Sequence, residues 1–318
     1  MTPTQLRAFA AVVRLGSVKA AAAEFGVTEA AISLHVGQLR KELGDRLFTR
    51  TSAGLAFTPG GLRLASRAVE LLGLQDRTVL EVRAAGEGRR LLRLGTSTLF
   101  AEFAAPGLIG LFAERAKDLD VELSSHRTTH FESLLLTRTV DATIGPRIAR
   151  PENNITSKLF LNYQVIAVAS PGHRLLERPA STATLRQQTW LLGPSAAEDS
   201  GVTTALLHRI GVPEERQQIF QSHAAALEET KRGRGISLTL SFAVAQDLAS
   251  GQLVQVPGRS LSAQGSWHIS TLASGQAPPA AEEMTRFITT PRATQAMLRG
   301  RAVVHGRFKP AVHVTLWS

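Results

Sequence analysis

A glycine turn between two short helical runs constrains this chain more than any other stretch. Val18 to Phe25 is rich in alanine and carries so little side-chain bulk that a second helix can cross it closely. Gly26-Val27-Thr28 follows: glycine takes the left-handed conformation that ends a helix tightly, and a threonine hydroxyl accepts a backbone N–H to cap the next one. That next helix runs from about Glu29 to Leu43. Ile32, Val36, Leu39 and Leu43 fall at i, i+4, i+7 and i+11 on one buried stripe, and Ala30, Ser33, Leu34, Gly37, Gln38 and Lys41 form the opposite face.

A face of small and hydrogen-bonding residues can lie against base edges, while Arg40 and Lys41 at its far end reach phosphate. An ordinary solvated face is the alternative, and the next segment argues against it. Leu47-Phe48-Thr49-Arg50 and Leu55-Ala56-Phe57-Thr58 flank Thr51-Ser52-Ala53-Gly54, which reads as a hairpin with a glycine-containing turn. Beside a helix-turn-helix such a hairpin is a wing. Arg50 at its base, with Thr51, is placed to enter a minor groove or hold a phosphate. The candidate DNA-binding set is thus Thr28, Glu29, Ala30, Ser33, Leu34, Gly37, Gln38, Arg40, Lys41, Arg50 and Thr51.

Gln5-Leu6-x-x-Phe9, Gly16-Ser17, Ala31-Ile32-Ser33, Gln38-Leu39, Glu42-Leu43-Gly44, Leu47-Phe48-x-Arg50 and Thr58-Pro59-Gly60-Gly61 stand in that order. This N-terminal series resembles the signature of the LysR-type transcriptional regulators. Glu29-Ala30 replaces a frequent Gln-Pro or Gln-Ser, Leu34 a frequent polar or basic residue, and Ala53 a frequent basic one. These departures bear on which DNA is read, not on the fold. The resemblance implies a cytoplasmic, sequence-specific DNA-binding regulator acting as a homodimer or homotetramer. It also implies a small-molecule effector, often a small organic acid, and RNA polymerase as a further partner where the regulator activates.

The 318 residues suffice for two or three domains, and the formal charge of +10 suits a polyanionic partner. With no cysteine, neither disulfides nor thiolate metal sites are available. No basic-then-apolar leader and no membrane-length apolar run occurs, so a soluble cytoplasmic protein without membrane contact is expected.

Thr4 to Leu15 forms the first helix, with Leu6, Phe9, Ala10 and Val13 facing inward. After the wing, Thr58 caps and Pro59 begins a long helix to about Ala85. Leu62, Ala65, Val69, Leu72, Val79 and Val82 make a seam for a second subunit, interrupted by Gly73 and Asp76. The expected boundaries are 1–58 for the winged helix-turn-helix, 59–88 for a linker helix used in dimerisation, and 89–300 for the effector domain. Gly86-Glu87-Gly88 marks the last of these boundaries.

Beyond it strands and helices alternate, giving an α/β domain of two parallel-sheet subdomains that resembles periplasmic solute-binding proteins. Strands are expected at Leu91–Gly95, Leu119–Leu123, Ala142–Ile144, Val165–Ala169, Thr189–Leu192, Gln218–Phe220 and Ile236–Leu240. Leu99 to Arg115 reads as a helix interrupted near Pro106, and Ala280 to Met297 as one closing helix. Subdomain I spans about 89–148 and 267–300, subdomain II about 149–266, with Trp267 to Leu272 returning to the first sheet. Residues 301–318 form a tail that is basic yet apolar, expected to lie on its own or a neighbouring subunit.

Ligands of open parallel sheets collect at the carboxyl ends of strands. Thr96, Ser97, Thr98, Thr128, Thr129, Ser222 and His223 occupy such positions and are the effector candidates, with simple helix capping as the rival reading. His126 and His130 are four apart but lack a third ligand, so no metal is expected. Gly193-Pro194-Ser195-Ala196-Ala197 lacks the second glycine of a nucleophile elbow, and Lys231-Arg232-Gly233-Arg234-Gly235 is not a phosphate loop. Neither catalytic residues nor a cofactor are expected. The rival functions are a DNA-binding protein of this fold without an effector, and an enzyme built on the α/β half.

Overall fold

The computed structural model describes residues 1–51, 54–151, 154–177, 181–198 and 201–299. It divides into two compact units, one of Met1–Glu87 with Leu136–Thr139, the other comprising the remainder from Gly88.

Local chemistry sets the first unit. Thr2 and Gln5 exchange hydrogen bonds in a capping box, with Pro3 in the first turn, and open α1 (Pro3–Leu15). Ser17 caps α2 (Val18–Phe25), Gly26 ends it at φ 64°, and Thr28 accepts the Ala31 N–H to start α3 (Glu29–Leu43). Leu6, Phe9 and Val12 of α1 meet Ile32, Val36 and Leu39 of α3 in one core, together with Leu47 and Phe48. Val12 is fully buried in this row, and the expected Ala10 and Val13 pack against the same core partly buried. Leu43 does not join the stripe: in the last turn before Gly44 it is 44% exposed.

The wing is β1 (Phe48–Thr51) paired antiparallel with β2 (Gly54–Phe57), Phe48 opposite Phe57 and Thr51 opposite Gly54. Pairing thus extends one residue further at each inner end than the sequence suggested. Ser52 and Ala53 lie outside the described residues, as do the Arg50 and Thr51 side chains. Asp45 ties the wing's base to the next helix, accepting the Leu47 N–H at 2.6 Å and the Thr58 hydroxyl at 2.7 Å. The Thr58 contact, then the Leu47 amide, hold the Asp45 carboxyl below its usual range.

Thr58 caps α4 (Pro59–Gly86), about 42 Å long at 1.5 Å per residue. One side, with Leu64, Ala65, Ala68 and Leu72, packs on the core of this unit. Another leaves Leu71, Leu74, Val79 and Val82 exposed along a groove lined also by Gln75, Thr78 and Arg83. The outward row therefore runs through Leu71 and Leu74, not Leu72, and Asp76 pairs with Arg7 at 2.9 Å.

The second unit is α/β. Its first half holds β3 (Arg90–Thr96), α5 (Thr98–Phe103), α6 (Ala105–Arg115), β4 (Leu119–Ser125), α7 (Phe131–Leu136) and β5 (Ala142–Gly145). Then come β6 (Ile155–Ala169), α8 (Thr182–Arg186), β7 (Trp190–Leu192), α9 (Val202–Ile210), β8 (Gln217–Ile219), α10 (His223–Lys231), β9 (Ile236–Leu240), α11 (Ala245–Ala249) and β10 (Val254–Gln255). The chain returns through β11 (Ser262–Leu272), α12 (Pro279–Phe287) and α13 (Pro291–Arg299).

Among the described residues the sheet order is β4-β3-β5-β11-β6-β9-β7-β8, with β10 beside β6. Strands β4, β3 and β5 are mutually parallel, as are β8, β7 and β9. The two sets are joined by β6 and β11, which pair antiparallel from Ile155 opposite Leu272 to Ile166 opposite Ser262. The crossings between subdomains are thus one continuous ribbon, and β6 starts ten residues before the expected Val165. The expected break near Pro106 falls at Ala104, leaving Pro106 in the first turn of α6. The single closing helix is two, because Pro291 cannot donate to a preceding turn and disfavours helical backbone at Thr290. The tail 301–318 lies outside the described residues.

Candidate DNA-reading face and effector cleft

The caps at Thr28 and Gly44 fix the ends of α3, and burial of Ile32, Val36 and Leu39 fixes its rotation. Thr28, Glu29, Ala30, Ser33, Leu34, Gly37, Gln38 and Lys41 are consequently all exposed. Leu34 is 60% exposed, an apolar group able to meet a thymine methyl among polar neighbours. Gln38 receives a hydrogen bond from Gln5 Nε2 at 2.9 Å, which orients its amide.

Arg40, expected at phosphate, instead turns back on the protein. Its Nη2 donates to the Phe48 carbonyl at 2.8 Å and its guanidinium carbon lies 4.6 Å from the Phe48 ring centroid. Because the wing folds over the end of α3, Arg40 clamps wing to helix. Arg40→Ala is therefore expected to weaken the first unit by about 1–2 kcal/mol while leaving the salt dependence of DNA binding unchanged. Lys41→Ala should leave stability alone and reduce the slope of log affinity against log salt by about 1. Titrations at several salt concentrations, beside thermal unfolding, check both.

In the second unit the candidates gather where the two halves of the sheet face one another. Thr96 and Ser97 are buried, Thr96 donating to the Ser124 carbonyl at 3.3 Å, while the Ser97 hydroxyl has no hydrogen-bond partner among the described residues. Thr98 and Thr128 both donate to one carboxylate, Glu198, at 3.4 Å. Thr129 is exposed in the 3-10 turn that follows β4. Ser222 caps α10, accepting the Ala225 N–H at 3.1 Å.

His223 is 2% exposed and hydrogen-bonded at both ring nitrogens. Nδ1 lies 2.7 Å from Glu102 Oε2, and Nε2 lies 2.9 Å from the Ser195 hydroxyl. Burial pushes the Glu102 carboxyl up, but the His223 ring, its charge and the amides of His223 and Ala224 outweigh this, so Glu102 stays below its ordinary range. The ionised Glu102 carboxylate accepts a hydrogen bond from the Nδ1–H, and the Ser195 hydroxyl meets the ring's other nitrogen. Ser195 had a sequence signal only as an incomplete nucleophile elbow, and Glu102 and Glu198 had none: the glutamates are ordinary helix and loop acids until the fold brings α5 against α10 and the turn after β7.

His126 hydrogen-bonds Ser124 at 2.8 Å, and burial, then the charge of His130, lowers its pKa. Among the described residues no group of three or more possible ligands stands where it could hold a metal ion, and no helix is long and apolar enough to cross a membrane.

Two family models match in sequence order: the bacterial regulatory helix-turn-helix protein of the lysR family over residues 3–62, and the LysR substrate binding domain over residues 85–291. The chain belongs to the LysR family of transcriptional regulators. An HTH-type transcriptional regulator of Mycobacterium tuberculosis is 55% identical over the whole of both chains. The regulator CbbR of Rhizobium meliloti is 26% identical, with 91% of this chain and 92% of CbbR covered. Among solved structures, ArgP of M. tuberculosis superposes with a TM-score of 0.60 at 20% identity, covering 93% of this chain and 98% of ArgP, a likeness of fold. Full-length LysG of Corynebacterium glutamicum, solved with bound effector Arg, gives 0.50 at 18%, covering 93% and 99%. In this LysR-family chain the helix-turn-helix model ends within α4 and the substrate-domain model begins near its end.

Proposed function

We propose that this regulator reads the major groove with Thr28, Glu29, Ala30, Ser33, Leu34, Gly37, Gln38 and Lys41, and that Arg50 and Thr51 of the wing meet the flanking backbone or minor groove. The observation that carries this reading is the uniformly exposed face of α3, fixed in rotation by Ile32, Val36 and Leu39. The wing assignment rests on the sequence. The exposed row Leu71, Leu74, Val79 and Val82 supports a dimer through paired α4 helices, with two dimers in a homotetramer on a partly palindromic site.

The functional divisions follow as 1–58, 59–88 and 89–300, with subdomain I about 89–148 and 267–300 and subdomain II about 149–266. The protein works in the cytoplasm as a regulator rather than an enzyme, needs no cofactor, and engages RNA polymerase where it activates. A small-molecule effector binds the cleft near Thr96, Ser97, Thr98, Thr128, Thr129, Ser222 and His223, as LysG takes Arg. That Thr98 and Thr128 already hold a carboxylate supports a small organic acid as its chemical class. Effector binding shifts the population between two arrangements on DNA, which requires different affinities for the two.

The test is binding to the DNA upstream of the protein's own coding region, with Ser33→Ala and Gln38→Ala beside the wild type. Each substitution is expected to weaken specific binding about 5- to 150-fold and leave binding to random DNA nearly unchanged. Equal loss on both DNAs, or no loss on either, would remove these residues from the reading face.

A further inference from the structure

We propose that one face of the sheet in the second unit, beneath Phe131 of α7, holds a seat for the carboxylate of a small organic acid, formed by Thr143 and His268 together with Ser97. Residues directly opposite one another across a sheet share a face, and alternate residues along a strand return to it. Thr143 of β5 stands opposite Gly95 of β3 and Ser270 of β11, and Gly145 stands opposite His268. These positions make one patch, to which the two glycines contribute no side chain. Ser97 joins it: a Cβ on Gly145 would lie 3.4 Å from the Ser97 Cβ and 2.6 Å from Phe131 Cε2.

Three buried polar atoms on this patch have no hydrogen-bond partner among the described residues: the Ser97 hydroxyl, the Thr143 hydroxyl and His268 Nδ1. Thr143 is 0% exposed and Ser97 4%. A native fold rarely leaves even one such hydroxyl unpaired, because its desolvation is not offset. Ser97 stands at the N-cap of α5 without making a side-chain cap bond, so helix capping does not account for it. One acceptor group in the patch accounts for all three, since both hydroxyls donate to a carboxylate and the imidazole can donate through Nδ1. Burial, then the Arg147 charge, lower the His268 pKa, against a smaller pull from the Ser266 backbone. The positive charge beside the seat is therefore that of Arg147, exposed two residues past Gly145. With Phe131 so close above Gly145, a flat, slender head group fits and a bulky one does not. The proposal rests on the effector function above, and seats that acid on two residues outside the set named there, Thr143 and His268.

Thr143→Val, which keeps the shape and removes the hydroxyl, tests the seat in the full-length protein. Without ligand its second unit should melt about 2–8 °C above wild type, because no buried hydroxyl is left unpaired at that position. Sodium acetate should raise the wild-type midpoint saturably, with sodium chloride at equal ionic strength as the baseline. Thr143→Val and Ser97→Ala are each expected to bind acetate about 10- to 100-fold more weakly. A valine variant no more stable than wild type overturns the proposal, as does an acetate response that chloride reproduces, that wild type lacks or that either variant keeps in full. The effector function is judged separately. A screened metabolite that stabilises wild type and Thr143→Val alike removes this seat and leaves the function standing. An acetate response lost in both variants, with DNA binding unchanged by acetate, supports the seat and counts against its control of DNA.

Discussion

Trp267→Ala is expected to destabilise the second unit by about 3–5 kcal/mol, more than any other substitution considered. The indole is fully buried in β11 and contacts Tyr163 at 4.5 Å, Phe100 edge-on at 4.9 Å and Phe242 at 6.2 Å between ring centroids. Truncation removes the aromatic contacts and leaves a void between the ribbon and α5, which close-packed neighbours fill only in part. Phe100 sits two residues before Glu102 on α5, so the same change should also loosen the contact with α10. Trp267→Phe keeps one ring of the cluster and should cost less than half as much. Urea unfolding followed by far-UV circular dichroism separates the outcomes. A loss below about 1 kcal/mol for the alanine variant would mean that the ribbon does not depend on this cluster.

The second large effect lies on α4. Leu74→Lys with Val82→Lys places charges in the exposed apolar row, where Leu74 is 44% and Val82 66% exposed in the single chain. Both side chains already face water in one protomer, so the cost to its fold should be small. In the proposed dimer through α4 they would be desolvated from both sides, and an unpaired buried ammonium there is strongly unfavourable. The double variant is therefore expected to sediment as a monomer. It should also lose about 10²- to 10⁴-fold in affinity for a two-half-site DNA, because the second half-site contact is no longer intramolecular. Unchanged sedimentation would assign the dimer to another surface.

The helix-turn-helix was legible because each of its parts is a local decision. Thr28 caps, Gly26 and Gly44 end helices, and Ile32, Val36 and Leu39 keep one period throughout. On α4 the period is ambiguous, since apolar residues face both inward and outward, and Leu72 belongs to the core while Leu71 and Leu74 face out. The ribbon was half hidden for a different reason. The first part of β6 carries Thr156, Lys158, Asn162 and Gln164 between its apolar residues, and the register shifts at Trp267, so no unbroken apolar run announces it.

Within the cleft, Thr98, Thr128, Ser222 and His223 were readable as residues that follow strands and begin helices. Their partners were not. Glu102 and Glu198 are set by which helix meets which turn across the sheet, at sequence separations of 121 and 100 residues. The contacts of Arg40 were hidden for a similar reason: its helical position points to the far end of α3, and only the fold brings the Phe48 carbonyl and ring of the wing against its guanidinium.

If a ligand of the α/β unit alters how the helix-turn-helix unit sits on DNA, hydroxyl-radical footprinting of the full-length protein on its upstream DNA will register the change. Metabolites, small organic acids first, are screened for those that raise the melting temperature of the second unit, and the footprint is recorded with and without each one at saturation. For such a ligand the length or spacing of protection is expected to change, with the contacts of α3 retained at one half-site at least. An identical footprint in the presence of a saturating, stabilising ligand would leave the α/β unit with a binding site that does not control DNA.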